Sequence, residues 1–298
     1  MSVLLDTISS LRGDDAAVID ERGTTDWHAL DDRVTRLVHA LRSRGMGPGD
    51  RVVALLGNQV ELVEISLACA LGGWILVPLN WHWVAREVSY VLDDADPTAV
   101  VVDRRWAAVL DDALLDASAA VPVRIAVGGG RSGFEDYESV LEDSHAADIA
   151  DAAKGGPMFY TSGTTGHPKG VRSALTSVGG PPEILTLMAH SLGPTIDVPP
   201  LSAATSDTAR SVQLVCGPMY HSAQWVFATF ALLCGATIVL QHKFDAEAVL
   251  DLIDEHGVTN VHLVPTQMAR LADLPAPRRD AFDGASLRTV LHLSLIHI

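Results

Sequence analysis

Lysine is scarce in this 298-residue sequence, and positive charge of any kind is in the minority. The lysines are Lys154, Lys169 and Lys243, and arginine supplies the other 18 of the 21 basic residues. Asp and Glu together number 37, which gives a formal net charge of -16. A surface of this sign repels phosphate backbones, which disfavours nucleic acid as a partner, and a polyanionic ligand needs a local binding site.

Cysteine is also rare, and its distribution argues against a metal site. Cys69, Cys216 and Cys234 are odd in number, lie among apolar residues and lack the spacing of metal ligands. We expect them to be buried thiols of a cytoplasmic protein, and no metal ligand is assigned. The first 15 residues lack a basic n-region and a long apolar h-region, so no secretion signal is visible.

Long hydrophobic runs are missing as well, although 48% of the residues are hydrophobic. The longest apolar stretch, residues 226–240, is shorter than the roughly 20 helical residues that span a bilayer. We interpret it as a buried helix that leads through Gly235 into a strand. The chain has no internal repeat, and its length suits one large α/β domain or two smaller ones.

Apolar runs of strand length alternate with stretches of helical period, which is typical of parallel α/β architecture. Strands are predicted within residues 50–57, 74–80, 97–103, 121–129, 211–218, 235–241, 258–265 and 286–293, and helices within 59–73, 86–96, 104–118 and 246–257. An acidic stretch flanked by glycine, residues 128–156, is predicted to be a solvated connector. It separates a first α/β subdomain, roughly 14–130, from a second, roughly 156–293. Residues 193–210 are rich in Pro, Ser and Thr and are predicted to be a mobile surface loop.

Residues 160–172 (YTSGTTGHPKGVR) concentrate glycines, hydroxyl side chains and the scarce Lys169 after the apolar end of a predicted strand. Glycines let backbone N–H groups converge on one point and hydroxyls add donors, so a polyphosphate is the natural occupant. Lys169 would then reach the phosphate oxygens as a point charge. A Walker loop needs glycine directly before its lysine and Ser or Thr after it, whereas Pro168 and Gly170 stand here. A flexible Gly/Ser/Thr linker is the alternative, and the flanking strand and the proline argue against it.

The order Ser-Gly-Thr-Thr-Gly-x-Pro-Lys-Gly resembles the phosphate-binding loop of the AMP-forming adenylating enzymes, which include acyl- and aryl-CoA synthetases, luciferases and peptide-synthetase adenylation domains. The resemblance implies a loop that closes over the β- and γ-phosphates of ATP and opens to release pyrophosphate. The residues that it assigns to ATP binding are Thr161, Ser162, Gly163, Thr164, Thr165, Gly166, Lys169 and Gly170. It also implies an α/β fold, namely the layered parallel-sheet subdomains of the large N-terminal domain of an acyl-CoA synthetase.

Residues 217–225 (GPMYHSAQW) resemble a second signature of this family, in which a histidine lies beside the acyl carboxylate and the adenylate. The resemblance makes His221 the candidate catalytic residue, although a lone histidine is more often structural. Gln224 stands where many relatives have a small residue, which bears on the width and length of the acyl pocket. The candidate pocket residues are Tyr220, Gln224, Trp225, Pro265 and Thr266. At least two of Trp225, Phe227 and Phe230 are expected to be core residues.

Residues 243–271 also resemble the family, with an acidic-capped helix, a strand and then Val264-Pro265-Thr266 at the start of another helix. By resemblance these three residues lie near the substrate channel. The strand, helix and strand predicted within residues 77–103 resemble those of bacterial acyl-CoA synthetases, so the likeness extends over about residues 14–293.

Several elements that such relatives use are not found in this sequence. They are a Tyr-Gly-x-Thr-Glu segment, an aspartate that binds the ribose hydroxyls, a hinge, and a lysine on a small C-terminal domain. The last six residues, LSLIHI, also leave the family pattern. We expect residues 1–298 to be an incomplete N-terminal AMP-binding domain without the C-terminal domain. We expect this fragment to be inactive alone and poorly soluble, because unpaired sheet edges would be exposed.

The leading interpretation is a carboxylate–CoA ligase that uses ATP, Mg²⁺ and CoA and activates a fatty or other hydrophobic acid. A peptide-synthetase adenylation domain is the runner-up, but its Phe-Asp signature, whose aspartate holds the substrate amino group, is not found at the position of PMYHS. From other classes, a non-catalytic nucleotide-binding module stays open. A phosphotransferase with a Walker-type loop is disfavoured by the Pro168-Lys169-Gly170 order. The oligomeric state is left open.

Overall fold

The computed structural model describes residues 2–149, 154–161, 168–172, 198 and 210–292, in which helices and strands alternate. The strands are β1 (Ala16–Asp20), β2 (Gly23–Asp26), β3 (Arg51–Leu55), β4 (Ile75–Pro78), β5 (Ala99–Asp103), β6 (Val123–Val127), β7 (Glu135–Asp136), β8 (Gly156–Thr161), β9 (Lys169–Arg172), β10 (Val212–Val215), β11 (Thr237–Leu240), β12 (Asn260–Leu263) and β13 (Thr289–His292). The helices are α1 (Ser2–Arg12), α2 (Trp27–Ser43), α3 (Val60–Gly72), α4 (Ala85–Ala95), α5 (Ala107–Asp116), α6 (Tyr137–Glu142), α7 (Ser222–Leu233), α8 (Ala246–His256), α9 (Pro265–Ala272) and α10 (Ala276–Asp280), with a 3₁₀ turn at Arg104–Trp106.

The chain divides into two compact units, each of which contains one sheet. Unit 1 comprises the described parts of Met1–Leu5, Ala29–Gly57 and Glu61–Leu185. Unit 2 comprises the described parts of Asp6–His28, Asn58–Val60 and Thr186–Ile298. The domain boundaries that we placed near residues 130 and 156 from the sequence stay predictions.

The sheet of unit 1 has seven strands in the order β7-β6-β5-β3-β4-β8-β9. Every neighbouring pair is parallel except β8 and β9, which are antiparallel. The middle strands β3, β4 and β5 are almost entirely buried and read as continuous apolar runs, as strands covered on both faces do. These strands and the helices α3, α4 and α5 between them confirm the predicted alternation.

The sheet of unit 2 has six strands in the order β13-β12-β10-β11-β1-β2. The neighbours from β13 to β1 are parallel, and β1 pairs with β2 as an antiparallel hairpin at the edge. The four strands predicted between residues 211 and 293 are all present. The hairpin was not predicted from the sequence, because the polar sequence of β2, Gly-Thr-Thr-Asp, carries no apolar pattern.

The longest apolar run forms a helix and a strand, as predicted. Helix α7 is buried on nearly all sides and ends at Leu233, after which Gly235, with φ of 80°, turns the chain into β11. Within the described residues, no helix is both long and apolar enough to cross a membrane. The three cysteines are buried and form no disulfide with one another, and burial raises the pKa of each thiol.

The predicted acidic connector contains regular structure. Strand β7 extends the sheet of unit 1 beside β6, and helix α6 follows it directly. The buried Tyr137 of α6 donates a hydrogen bond to Glu64 Oε2 at 2.7 Å. Arg33 donates to the other oxygen of Glu64 at 2.6 Å and also to Glu138 at 2.7 Å. Helices α2, α3 and α6 are therefore joined by one buried carboxylate, which the composition of the segment does not reveal. Residues 193–197 and 199–209, from the predicted surface loop, lie outside the described residues.

Candidate functional site

The two flanks of the glycine-rich loop form an antiparallel pair in unit 1. Thr161 at the end of β8 is the register partner of Lys169 at the start of β9. The pairing places Thr161 and Lys169, which flank residues 162–168, opposite each other. Of the residues assigned to ATP binding, Thr161, Lys169 and Gly170 are described. Ser162, Gly163, Thr164, Thr165 and Gly166 lie outside the described residues.

Strand β8, which precedes the loop, is held by a buried apolar side chain and by a side-chain hydrogen bond. Phe159 is buried, and the Tyr160 hydroxyl donates to Asp94 Oδ2 of α4 at 2.5 Å. Burial raises the pKa of Tyr160, and the bond to the Asp94 carboxylate raises it further. Gly170 lies opposite Tyr160 in the register, and a Cβ there would come within 3.2 Å of the tyrosine ring and 2.9 Å of Met158 Sδ. Glycine at position 170 therefore lets the Tyr160 side chain lie across β9.

Lys169 is exposed at the start of β9. No ion pair of Lys169 occurs among the described residues. The role of Lys169 as a point charge that reaches phosphate oxygens stays a prediction.

His221 in unit 2 follows β10 and stands at the first turn of α7. Its backbone N–H donates to Pro218 O at 3.0 Å, and its carbonyl accepts from Trp225 N at 3.1 Å. The imidazole lies against the Tyr220 ring, with centroids 4.6 Å apart. It still contacts solvent, but partial desolvation by the surrounding protein lowers its pKa. The carboxyl end of a parallel strand and the start of a helix are where α/β proteins bind ligands.

Asn58 holds the segment that leads to His221, and sequence reasoning missed it. Its Nδ2 donates to Gly217 O at 2.8 Å and to Gln241 O at 3.0 Å, and its Oδ1 accepts from Met219 N at 2.9 Å. The residue is only 2% exposed. One amide side chain therefore satisfies three backbone groups from the turns that follow β10 and β11.

Gln224 lies one helical turn after His221 and is buried. Its Nε2 is 2.9 Å from His262 Nδ1 and 3.4 Å from His262 O. The His262 ring is stacked on the Phe227 ring, with the ring centroids 4.5 Å apart and an angle of 21° between the ring planes. Gln224 thus serves as a partner for a second histidine, which was not among the predicted site residues.

The other predicted pocket residues differ in exposure. Trp225 is buried in α7, as are Phe227 and Phe230, in agreement with the expectation that at least two of the three are core. Pro265 and Thr266 are exposed at the first turn of α9. Their neighbour Gln267 is buried and was missed. Its Nε2 donates to Cys216 O at 3.1 Å, and its Oε1 accepts from Val264 N at 2.9 Å.

Acid is expected to destabilise the protein through His262. Burial, with a smaller effect from His292, lowers the pKa of His262 from 6.5 to about 4. Between these two values the unfolded chain binds a proton that the folded chain does not bind, so the free energy of unfolding falls as the pH decreases. The contribution of His262 reaches about 3 kcal/mol at the acid end of this range. Urea unfolding at several pH values should show a shallower pH dependence for His262→Phe than for the unchanged protein, and equal slopes would contradict this assignment.

Comparison with known proteins places the chain in a family. The model of the AMP-binding enzyme family matches residues 6–294. An indoleacetate–CoA ligase of Aromatoleum aromaticum is 35% identical over 262 residues, which cover 86% of this chain and 48% of that protein. A 3-oxocholest-4-en-26-oate–CoA ligase of Rhodococcus rhodochrous is 28% identical over 287 residues, which cover 92% of this chain and 49% of that protein. The chain spans about half the length of these curated relatives.

Solved structures agree with this assignment. The inhibitor-bound N-terminal domain of FACL13 from Mycobacterium tuberculosis superposes with a TM-score of 0.77 and 26% identity over 98% of this chain and 69% of that chain. The α/β fold predicted from the loop and its neighbouring strands is confirmed. With the family model matching nearly every residue, the chain belongs to the AMP-binding enzyme family.

Proposed function

We propose that this chain is the N-terminal, nucleotide- and acyl-binding part of an AMP-forming carboxylate–CoA ligase. The observation that carries the proposal is the phosphate-loop sequence of residues 161–170, whose described residues Thr161 and Lys169 are register partners in β8 and β9. Family membership supports it, as do relatives that are themselves CoA ligases.

The proposed reaction has two steps. A carboxylate oxygen of the acid attacks the α-phosphorus of ATP, the bond to the bridging oxygen breaks, and pyrophosphate leaves. The thiolate of CoA then attacks the carbonyl carbon of the mixed anhydride, and AMP leaves with the carboxylate oxygen that joined the phosphorus. Activation supplies a good leaving group, which makes the thioester step feasible.

The proposed roles follow the chemistry of each side chain. Thr161, Gly170 and the loop residues between them surround the β- and γ-phosphates, and Lys169 neutralises the charge that develops on pyrophosphate. His221 keeps the position beside the acyl carboxylate and adenylate that the family resemblance assigns to it. Its lowered pKa favours the neutral imidazole, which can donate one hydrogen bond and accept another.

Mg²⁺ is proposed to bind together with ATP. Among the residues that the structure describes, no group of three or more His, Cys, Asp or Glu side chains is placed to hold a metal ion. Mg²⁺ is therefore proposed as part of the ATP substrate, and no step is assigned to a metal held by the described residues.

The proposed acid is hydrophobic, either fatty or aromatic. Helix α7, which begins directly after His221, carries large buried apolar side chains, including Trp225 and Phe230. The relatives above act on indoleacetate and on a steroid acid, according to their names. We also propose a cytoplasmic location, with which buried cysteines that form no disulfide with one another are compatible.

Removing the charge of Lys169 is expected to weaken the binding of pyrophosphate. Lys169→Met keeps most of the side-chain length, so the loss of a charge-assisted contact should lower kcat/KM for ATP–pyrophosphate exchange about 10- to 100-fold. The measurement uses the complete protein that contains these residues. Lys154→Met is the matched control, because Lys154 is also an exposed lysine near β8. An equal loss in both variants would remove Lys169 from the proposed site.

The 298-residue chain alone is expected to form no acyl-CoA. The Tyr-Gly-x-Thr-Glu segment and the distal lysine that relatives use are not found in its sequence. Binding of pyrophosphate, measured by calorimetry, should still occur, because the loop and Lys169 are within the chain. Robust acyl-CoA synthesis by the purified chain would contradict the expectation, and ATP binding without exchange in the complete protein would favour a non-catalytic nucleotide-binding module.

A further inference from the structure

His262 is a buried histidine in which one ring nitrogen has a hydrogen-bond partner among the described residues and the other has none. It is 1% exposed, on strand β12, and its ring is stacked on Phe227. Gln224 Nε2 lies 2.9 Å from Nδ1. The Nε2 atom is buried and has no hydrogen-bond partner among the described residues.

The contacts of Gln224 determine which nitrogen of His262 carries the proton. Gln224 Nε2 also lies 3.4 Å from the backbone oxygen of His262, which can only accept, so the atom facing both groups is the amide N–H₂. Nδ1 must then accept, which leaves the proton on Nε2. Burial lowers the pKa of the ring to about 4, and this keeps the imidazole neutral near pH 7. His262 therefore presents one buried N–H donor.

A second unsatisfied polar atom occurs on the neighbouring strand. Gln213 is fully buried on β10, and its Oε1 has no partner among the described residues. Gln213 is the register partner of Asn260, and Asn260 and His262 are two residues apart on β12. Side chains at such positions lie on one face of a sheet. This face, defined by Gln213, Asn260 and His262 and called the polar face below, is in contact with α7 through Gln224 and Phe227.

A buried donor without a partner is destabilising, so native sites give such a group an acceptor. A bound ligand is one source of that acceptor, and a water molecule or a residue outside the described part of the protein is another. The helix that meets the polar face begins directly after His221, the proposed acyl-carboxylate residue. Gln224 is three residues further along that helix, a rise of about 4.5 Å. The unsatisfied donor thus lies beside the helix that begins at the proposed acyl-carboxylate residue.

We propose that His262, held by Gln224, is a specificity-determining hydrogen-bond donor for an oxygen atom within the acyl part of the substrate. The proposal rests on the proposed function. It makes the preferred acid hydrophobic overall but with a carbonyl, hydroxyl or ether oxygen beyond its carboxylate. An unsubstituted acid would leave the His262 donor without an acceptor and would be disfavoured for that reason.

The test is a comparison of matched acids in the complete protein. ATP–pyrophosphate exchange is measured with decanoate and with 4-oxo-, 5-oxo-, 6-oxo- and 7-oxodecanoate. At least one oxo acid is expected to have a kcat/KM about 10- to 100-fold above that of decanoate. In His262→Phe, which keeps an aromatic ring beside Phe227, this ratio should fall to about 1. The matched control His256→Phe, on α8, should keep the original ratio.

The outcomes separate this proposal from the proposed function. Exchange with decanoate and every oxo acid at similar kcat/KM would mean that the acceptor of the His262 donor is not in the acyl chain, which overturns the proposal and leaves the function standing. A preference for an oxo acid that persists in His262→Phe would also overturn it. If no acid supports exchange, the proposed function fails, and the proposal fails with it.

A second measurement does not require the His262→Phe variant to fold. Nitrogen NMR of the unchanged 298-residue chain reports which ring nitrogen of His262 carries the proton. The Nε2–H form is expected, and Gln224→Leu should allow a mixture of the two neutral forms. A proton on Nδ1 of His262 in the unchanged chain would contradict the proposal.

Discussion

Asn58→Ala is expected to lower the free energy of unfolding by about 3 kcal/mol. The substitution leaves three buried backbone groups, those of Gly217, Met219 and Gln241, without the partner that Asn58 gives them. Each such loss costs about 1–3 kcal/mol, and partial relaxation of the turns reduces the sum. Urea unfolding of the 298-residue chain, followed by tryptophan fluorescence, measures the effect.

The same substitution is expected to affect catalysis through the position of His221. The turn that Asn58 holds leads directly to His221, so the KM for the carboxylic acid should rise more than the KM for ATP in the complete protein. Asn80→Ala is the matched control. Asn80 also follows a buried strand, but it is half-exposed, and its side-chain oxygen accepts a local hydrogen bond from His82 N at 3.0 Å. A stability loss in Asn58→Ala no larger than that of the control would contradict the assigned role.

Glu64→Gln is expected to destabilise the protein by about 3 kcal/mol, because it breaks a buried ion pair and leaves Arg33 without its buried partner. Glu64 is fully buried and is bonded to Arg33 and Tyr137. Burial raises the pKa of Glu64, and the hydrogen bonds from Arg33 and Tyr137 oppose that rise. The amide of glutamine keeps the shape of the side chain but removes the charge that faces the guanidinium group.

Glu138→Gln provides an unusually close control for this prediction. Glu138 pairs with the same Arg33 at 2.7 Å, but its side chain is 55% exposed. Exposed ion pairs contribute about 0–1 kcal/mol, so this variant should unfold at nearly the same urea concentration as the unchanged chain. Equal losses in the two variants would show that burial of Glu64 is not what makes its pair important.

The sequence predicts the regular part of the fold well because the strands of the two sheets are mostly parallel and buried. Runs such as Val100 to Val102 in β5 have the continuous apolar character that burial on both faces requires. The β1–β2 hairpin and helix α6 were not predicted. Strand β2 is polar, and β1 and α6 are short and are held by partners distant in the chain, such as Ile238 beside Val18 and Glu64 beside Tyr137.

The candidate site likewise contains residues that the sequence predicts and residues that it does not. The loop motif indicates Lys169 and Gly170 because local spacing carries the signal, and the Pro-Met-Tyr-His context indicates His221. Asn58 and His262 act through contacts with residues about 160 and 40 positions away in the chain, Met219 and Gln224. A polar residue inside an apolar strand, as in Asn-Val-His-Leu, was the available signal for His262, since buried polar groups require partners.

The most direct test of the central claim follows an oxygen atom. The complete protein that contains these residues is incubated with ATP, Mg²⁺, CoA and decanoate or an oxodecanoate labelled with ¹⁸O in both carboxylate oxygens. If the carboxylate attacks the α-phosphorus, AMP is released with one ¹⁸O atom in its phosphate, and mass spectrometry detects the increase in mass. Formation of ADP, or of AMP without ¹⁸O, would contradict the assignment of this chain to an enzyme that activates carboxylic acids by adenylation.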